Sequence, residues 1–282
     1  MRILVIGGRG FLGSQFSKFL SYYNDAGIEI SINSEKFETG YDLARIDFNE
    51  FEAVIYCSGI VNIEECENNP TKAFWVNSEL PSLIARKLER TKTKFIYIST
   101  DAVFDGTRKF ATENDPTNPL SIYGESKLQG EKEILNSSDS NLVCRVNFIG
   151  RSPKNNSLLD YFLENLISER PAPGYENVFF TPLYVDDVIH GLIKLIKKNS
   201  YGVFHLVGND RISKYEFGQI IEKLLGKEAN FVTPVEFKNL PSTPKRSLDL
   251  SLSNEKARSL GIDFPPITPR LGGVVESFKN RK

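Results

Sequence analysis

The sequence predicts an α/β fold, a doubly wound parallel sheet with a smaller C-terminal substrate lobe. Two observations carry this. Short apolar runs of strand length alternate with helix-length amphipathic segments through the first half. That is the rhythm of β-α-β units whose parallel strands are covered on both faces. A glycine-rich turn, Gly7-Gly8-Arg9-Gly10-Phe11-Leu12-Gly13, also stands between the first strand and the first helix.

Taken in order, Arg2–Ile6 is an apolar strand ended by Gly7-Gly8. Residues 11–23 carry helical spacing. Strands are expected at 28–32 and 53–57, a long amphipathic helix at 71–90, and a strand at 95–99. A helix at 122–135 and a strand at 142–147 follow. The rhythm changes after Gly150. Residues 151–157 are polar and loop-like, 158–168 helical, and Pro171-Ala172-Pro173-Gly174 breaks the chain. Residues 178–180 and 202–207 read as strands returning to the sheet, with a helix at 185–197 between them. A helix at 213–225, a proline-containing stretch at 234–244 and a last helix at 269–278 complete the smaller lobe.

Composition bounds the function. The chain has 282 residues, 40% hydrophobic and 25% charged, close to globular averages. A net charge of −1 and a pI near 6.2 leave no electrostatic footprint for nucleic acid. The opening apolar run is too short for a signal sequence, and no segment approaches the ~20 apolar residues of a membrane span. The cysteines Cys57, Cys66 and Cys144 lack paired spacing and read as buried thiols. The histidines, His190 and His205, lack metal-ligand spacing, so no metal is expected. The chain reads as cytoplasmic.

The glycine turn has the spacing G-x-x-G-x-x-G. Such glycines permit a tight turn, close approach of backbone to a pyrophosphate, and close helix–strand packing. The helix N-terminus then faces the phosphates. This makes 1–150 a dinucleotide-binding domain of Rossmann type, rejoined by about 178–207. Residues 151–177 and 208–282 form the lobe. The second strand of such domains usually ends in an acid that holds the ribose of NAD. Here Ile32-Asn33-Ser34-Glu35-Lys36 puts no acid at the strand tip, though Glu35 is near. Ser34, Lys36 and Arg9 could instead receive a 2′-phosphate. NADPH is favoured and NADH stays open; Glu35 and Lys36 read equally well as solvated loop charges.

Tyr123-Gly-Glu-Ser-Lys127 places tyrosine and lysine four apart at a helix start, hence on one face. Of 11 tyrosines, only Tyr123 has lysine at that spacing. An ammonium beside a phenol favours the phenolate and lowers the phenol's pKa, which suits proton transfer near neutrality. The spacing alone also fits a surface helix with a solvated lysine.

These motifs, with Ile98-Ser99-Thr100-Asp101-Ala102-Val103-Phe104-Asp105-Gly106, resemble extended short-chain dehydrogenases/reductases. The branch that looks nearest is the dTDP-4-dehydrorhamnose reductases and related sugar-nucleotide reductases. The likeness extends through the segment from Cys57 to Glu67, Val76-Asn77, Phe180-Thr181-Pro182-Leu183-Tyr184-Val185-Asp186-Asp187 and Gly202-Val203-Phe204-His205, to Pro244–Asp249. It implies catalytic roles for three residues. Thr100 would bond the substrate carbonyl, Tyr123 would protonate its oxygen, and Lys127 would hold the nicotinamide ribose and lower the Tyr123 pKa. It implies cofactor contacts from Gly7, Arg9, Gly10, Phe11, Leu12, Gly13, Cys57, Ser58 and Gly59, besides Tyr123 and Lys127, with Asp42-Leu43 near the adenine. Thr100 alternatively reads as a cap or turn residue, and Asp101 as a contact for sugar hydroxyls or a turn carboxylate. Asn147 and Phe148, on the substrate side, depart from the family's Thr-Ser-aromatic pattern. Arg246 is a candidate for the substrate diphosphate or a surface charge beside Lys245.

Sugar dehydratases of this fold follow the threonine with Asp-Glu, whereas Ala102 follows Asp101 here. The resemblance therefore implies reduction of the 4-keto group of a nucleotide-activated 6-deoxy-hexulose, most simply dTDP-linked, in deoxysugar synthesis for surface polysaccharide. Two rivals remain open. One is a non-catalytic regulatory subunit resembling the methionine adenosyltransferase β subunit. The other is an NAD-dependent epimerase or dehydratase. The oligomeric state, a homodimer included, is also open.

Overall fold

The computed structural model describes residues 1–22, 27–35, 43, 45–228, 230–241 and 243–279. Six parallel strands form the main sheet: β1 (Arg2–Ile6), β2 (Glu29–Asn33), β3 (Ala53–Tyr56), β4 (Lys94–Thr100), β5 (Leu142–Val146) and β6 (Gly202–Leu206). Their spatial order is β6-β5-β4-β3-β1-β2. The chain moves outward from β1 to β2, then crosses to β3 on the other side. Ligands of open α/β sheets collect in the crevice at such a reversal, beyond the strands' carboxyl ends. The loops after β1 and β3 flank that crevice.

Both faces of the sheet are covered, which is why its strands are apolar throughout. Leu12, Phe16 and Phe19 of helix Phe11–Tyr22 and Val188, Ile189 and Leu192 of helix Val185–Lys197 pack on one face. Leu80, Ile84, Ala85 and Leu88 pack on the other, with Ile134 of helix Ile122–Ser137. A third apolar cluster joins helices Leu158–Ile167, Lys214–Leu225 and Ile267–Lys279 through Phe162, Phe217 and Leu271.

Three features differ from the sequence expectation. Phe179–Phe180 does not return to the main sheet. It pairs antiparallel with Ile212–Ser213 and parallel with Asp249–Leu250, and only β6 extends the large sheet, beside β5. Ala257, Ile262 and Phe264, expected in the lobe, pack in the sheet's core instead. The helix expected over 71–90 is interrupted: Pro70–Phe74 and Leu80–Leu88 flank a π-helical turn at Trp75–Glu79. Pro81 explains the interruption. It has no N–H for the carbonyl of Asn77 four residues earlier, and the Tyr97 hydroxyl donates to that carbonyl instead. The Tyr56 hydroxyl similarly donates to the Val76 carbonyl at 2.8 Å.

Candidate active site

The glycine turn is held from both sides. The amides of Gly7 and Gly8 both donate to the Asn33 carbonyl at the tip of β2, each at 3.0 Å. Gly7 has φ +103°, and a Cβ there would lie 2.6 Å from the Ser58 nitrogen, in the loop after β3. A Cβ on Gly13 would lie 2.2 Å from the Gly7 carbonyl oxygen, so this glycine lets the helix start directly against the turn. Gly10 differs: an added Cβ would have only the Gly7 oxygen at 3.2 Å and the Cys57 oxygen at 3.9 Å. The outer side of the turn at Gly10 is thus open for a phosphate to approach, beside helix amides that lack intrahelical acceptors. This arrangement fits a dinucleotide pyrophosphate.

The other expected cofactor contacts fall into three groups. Arg9 and Gly59 are exposed, while Phe11, Cys57 and Ser58 are half-buried at the crevice. Leu12 and Leu43 are core residues, 4% and 1% exposed, so their side chains serve packing and only their backbone could meet a ligand. Asp42 and Lys36 lie outside the described residues. At the tip of β2, the Asn33 side chain accepts from the Glu35 amide at 2.9 Å, and Glu35 is exposed. Ser34 leans over the turn, its hydroxyl 2.5 Å from where a Gly8 Cβ would stand.

Thr100 ends β4, and Tyr123 and Lys127 open helix Ile122–Ser137. Ser121 caps that helix by accepting from the Gly124 amide. Two glycines set its approach. A Cβ on Gly124 would lie 2.4 Å from the Ala102 oxygen, and one on Gly130 would lie 2.5 Å from the Asn77 oxygen. The helix therefore lies close against the end of β4. The half-buried Tyr123 phenol lies near enough to the Thr100 hydroxyl for it to favour the phenolate. Lys127, 4% exposed, donates from Nζ to the Ile98 carbonyl at 2.6 Å and sits 3.9 Å from the Tyr97 ring centre.

The electrostatics depart from the expectation that Lys127 depresses the phenol. Burial raises the Tyr123 pKa well above its usual value, the Thr100 hydroxyl opposes this, and Asp101 and Cys66 raise it further. Burial also lowers Lys127 to about 7, against the pull of Glu131 and Cys57. The ammonium is turned to a backbone carbonyl and an aromatic face, and near neutrality it keeps only part of its charge. Its charge therefore acts first on the Ile98 carbonyl and the Tyr97 ring.

Thr100 is also a cap, as its alternative reading had it. Its Oγ1 accepts from the Ala102 amide at 3.2 Å and donates to Asp101 Oδ1 at 3.0 Å. Asp101 opens the short 3-10 turn Asp101–Val103, is 6% exposed, and its Oδ2 accepts from Asn147 Nδ2. Burial lifts its pKa to about 6, with Asn147, Thr100, Lys214 and the Ala102 amide all opposing. Phe148 stands edge-on to Phe11, ring centres 5.2 Å apart, joining the exit of β5 to the glycine turn. Arg246, with its side chain 46% exposed, lies 3.9 Å from Glu64.

Sequence reasoning missed several residues. Lys214, at the start of its helix, is half-buried; burial and the nearby Arg246 lower its pKa, while Asp101 opposes them. Asn77, fully buried, bonds both backbone groups of Ile60 and the Ser126 hydroxyl. Glu131 is paired with Arg145 through three bonds of 2.8–3.2 Å and accepts from the Ser99 hydroxyl. The one available signal was Glu131 standing four residues after Lys127 on the same helical face. Among the described residues no group of His, Cys, Asp and Glu could hold a metal ion. No described helix is long and apolar enough to cross a membrane.

A strand-end threonine, a helical tyrosine–lysine pair and a glycine turn stand at the carboxyl side of the sheet. The family model described as RmlD substrate binding domain matches residues 1–280. The chain belongs to this family. A probable low-salt glycan biosynthesis reductase of Haloferax volcanii is 27% identical over 99% of both chains. The methionine adenosyltransferase 2 subunit beta of Bos taurus is 26% identical, covering 98% of this chain and 87% of that protein. Among solved structures, a dTDP-4-dehydrorhamnose reductase from Bacillus anthracis in complex with NADP superposes with a TM-score of 0.84. Its identity is 22%, with 96% of each chain covered. The RmlD family assignment agrees with the doubly wound fold and with the extended short-chain dehydrogenase/reductase resemblance.

Proposed function

We propose that this protein is an NADPH-dependent reductase of the 4-keto group of a nucleotide-activated 6-deoxy-hexulose, dTDP-linked in the simplest case. The observation that carries this reading is the packing of the helix opened by Tyr123 and Lys127 against β4, which ends at Thr100, with Lys127 donating to the Ile98 carbonyl of that strand. The Haloferax relative, named as a glycan biosynthesis reductase, supports the reaction class. A bound reduced nicotinamide supplies the hydride. The glycine turn would hold its pyrophosphate, and Lys127 its ribose. Tyr123 gives its proton to the carbonyl oxygen, and Thr100 orients that oxygen. Asn33 at the tip of β2, where an acid would exclude a 2′-phosphate, supports NADPH over NADH.

A second reading, a non-catalytic subunit, has one specific support, the relative named methionine adenosyltransferase 2 subunit beta. It predicts a stoichiometric enzyme partner and no turnover. Mixing the purified protein with NADPH and a panel of nucleotide-linked 4-keto-6-deoxy sugars decides between the two. We expect cofactor oxidation with at least one sugar. Tyr123→Phe should lower kcat by about 10²–10⁴-fold, the contribution of a positioned acid, while NADPH binding by calorimetry stays unchanged. Absence of turnover with every sugar would refute the reductase.

A further inference from the structure

We propose that Glu67 is a positioning residue for Tyr123: its carboxylate fixes the first turn of the helix that carries the phenol. This rests on the reductase reading above. Glu67 stands on the short helix Ile63–Asn68, in the segment that follows β3. Its Oε1 accepts the Ile122 backbone N–H at 2.9 Å, across 55 residues of chain. Ile122 is the first residue of helix Ile122–Ser137, and Tyr123 is the second.

The first amides of a helix have no acceptor within it. One of them, on Gly124, is met locally by the Ser121 hydroxyl at 3.3 Å. A local cap moves with the helix it caps and cannot set where that helix points. Glu67 belongs to another element, so its bond ties the first turn to the segment flanking the crevice. That segment is itself anchored. The Asn62 side chain caps the Glu67 helix by accepting the Glu65 amide at 2.9 Å. Cys66, next to Glu67, donates its thiol to the Ile60 carbonyl at 3.4 Å, and Ile60 directly follows Gly59 of the loop after β3. Gly124 lies against the Ala102 carbonyl, just past the end of β4. The turn bearing Tyr123 thus has two fixed points outside its own helix, Ala102 and Glu67. A carboxylate bonded to an amide at the positive end of a helix is charge-assisted, which makes this bond stronger than the Ser121 cap. The phenol has to reach a carbonyl oxygen, and a misplacement of about 1 Å can cost about 10²-fold in rate. The angle of this one turn therefore enters the proton transfer, not the binding of the cofactor.

The test compares Glu67→Ala, Glu67→Gln and Glu65→Gln in ketone reduction. Glutamine offers an amide oxygen to the Ile122 N–H; alanine offers none. Glu65 is on the same helix, exposed, and pairs with Lys72 at 2.8 Å. Glu65→Gln therefore removes the same charge without touching the helix of Tyr123. Glu67→Ala should lower kcat by about 10-fold or more, with KM for NADPH unchanged. Its solvent deuterium isotope effect on kcat should grow, because proton transfer from Tyr123 becomes the slow step. Glu67→Gln should recover most of the rate, and Glu65→Gln should match the wild type in both. A cap that served stability alone would lower the melting temperature and leave the isotope effect where it was. Deuterium exchange of the Ile122 amide, followed by NMR, reads the bond without turnover and should be faster in Glu67→Ala than in Glu67→Gln. Three results overturn the positioning role alone: a wild-type isotope effect in Glu67→Ala, Glu67→Gln as slow as Glu67→Ala, or unchanged Ile122 exchange in Glu67→Ala. No wild-type turnover with any keto sugar overturns the reductase reading and the positioning role with it, while the Ile122 exchange still reports the bond.

Discussion

Lys127 is a functional group that the fold tolerates at a cost. Burial lowers its pKa from 10.5 to about 7, so between these values the unfolded chain binds the extra proton and stability rises with pH. The penalty is therefore present in full below pH 7 and is relieved as pH climbs toward 10.5. Lys127→Met, of similar length and apolar, should abolish reductase turnover yet raise the melting temperature at pH 7 by roughly 3–6 °C, allowing about 1.5 kcal/mol of relief. At pH 10 the gain should shrink to nearly nothing. Thermal melts of both proteins at the two pH values check this; an equal gain at both would refute the charge argument. The identities of Thr100, Tyr123 and Lys127 were legible because their geometry is local: a strand end, and two residues one helical turn apart. Their pKa values were not. Those depend on how deeply the helix sinks against β4, which Gly124 and Gly130 decide through contacts with Ala102 and Asn77.

At the scale of elements, the glycine turn separates two requirements that one motif conflates. Gly13 is tied to the fold, since any Cβ would enter the Gly7 carbonyl. Gly10 is tied to the ligand, since its Cβ would press closely only on the Gly7 oxygen, at 3.2 Å, but would occupy the side open to a phosphate. Gly13→Ala should therefore lower stability by about 2–4 kcal/mol, the range of forced overpacking and backbone shift, and weaken cofactor binding as a consequence. Gly10→Ala should melt within a few degrees of wild type while losing at least about tenfold in NADPH affinity. Denaturant melts beside calorimetric titrations distinguish them, and equal destabilisation by both would refute the division of labour. Strand and helix positions in the sheet were legible from apolar runs. The π turn at Trp75–Glu79 was hidden inside a continuous amphipathic pattern; Pro81 was the visible sign, but the hydroxyls of Tyr56 and Tyr97 that satisfy the freed carbonyls come from other strands. Residues 178–180 misled for a related reason. Two apolar residues suit any sheet, and pairing with Ile212–Ser213 and Asp249–Leu250 is long-range.

Across the whole molecule, one buried polar chain ties the large sheet to the segment that follows the lobe's last strand. It runs from Ser99 of β4 through Glu131 and Arg145 to His205 of β6. His205 Nδ1 meets the Ser253 carbonyl at 3.1 Å, and its backbone amide donates to Glu113. The imidazole is fully buried beside the Arg145 guanidinium, its Nε2 3.4 Å from Nη1. Burial, then Arg145, depress its pKa from 6.5 to about 3. A histidine held neutral in the fold but free to charge when unfolded binds fewer protons in the native state. Its contribution to stability is whole above pH 6.5 and is lost as pH falls toward 3. At pH 5 the loss is about 2 kcal/mol, from 1.5 pH units at 1.36 kcal/mol each. His205→Gln keeps an acceptor near Arg145 and cannot charge. The variant should be less stable than wild type at pH 7.5, where packing against Phe104 is disturbed. The difference should narrow by about 2 kcal/mol at pH 5 as the wild type alone takes the proton penalty. Urea melts of both proteins at the two pH values give the comparison directly. A constant gap would mean that His205 is already protonated in the fold or never senses Arg145, and the buried chain would then have to be redrawn with its last link elsewhere.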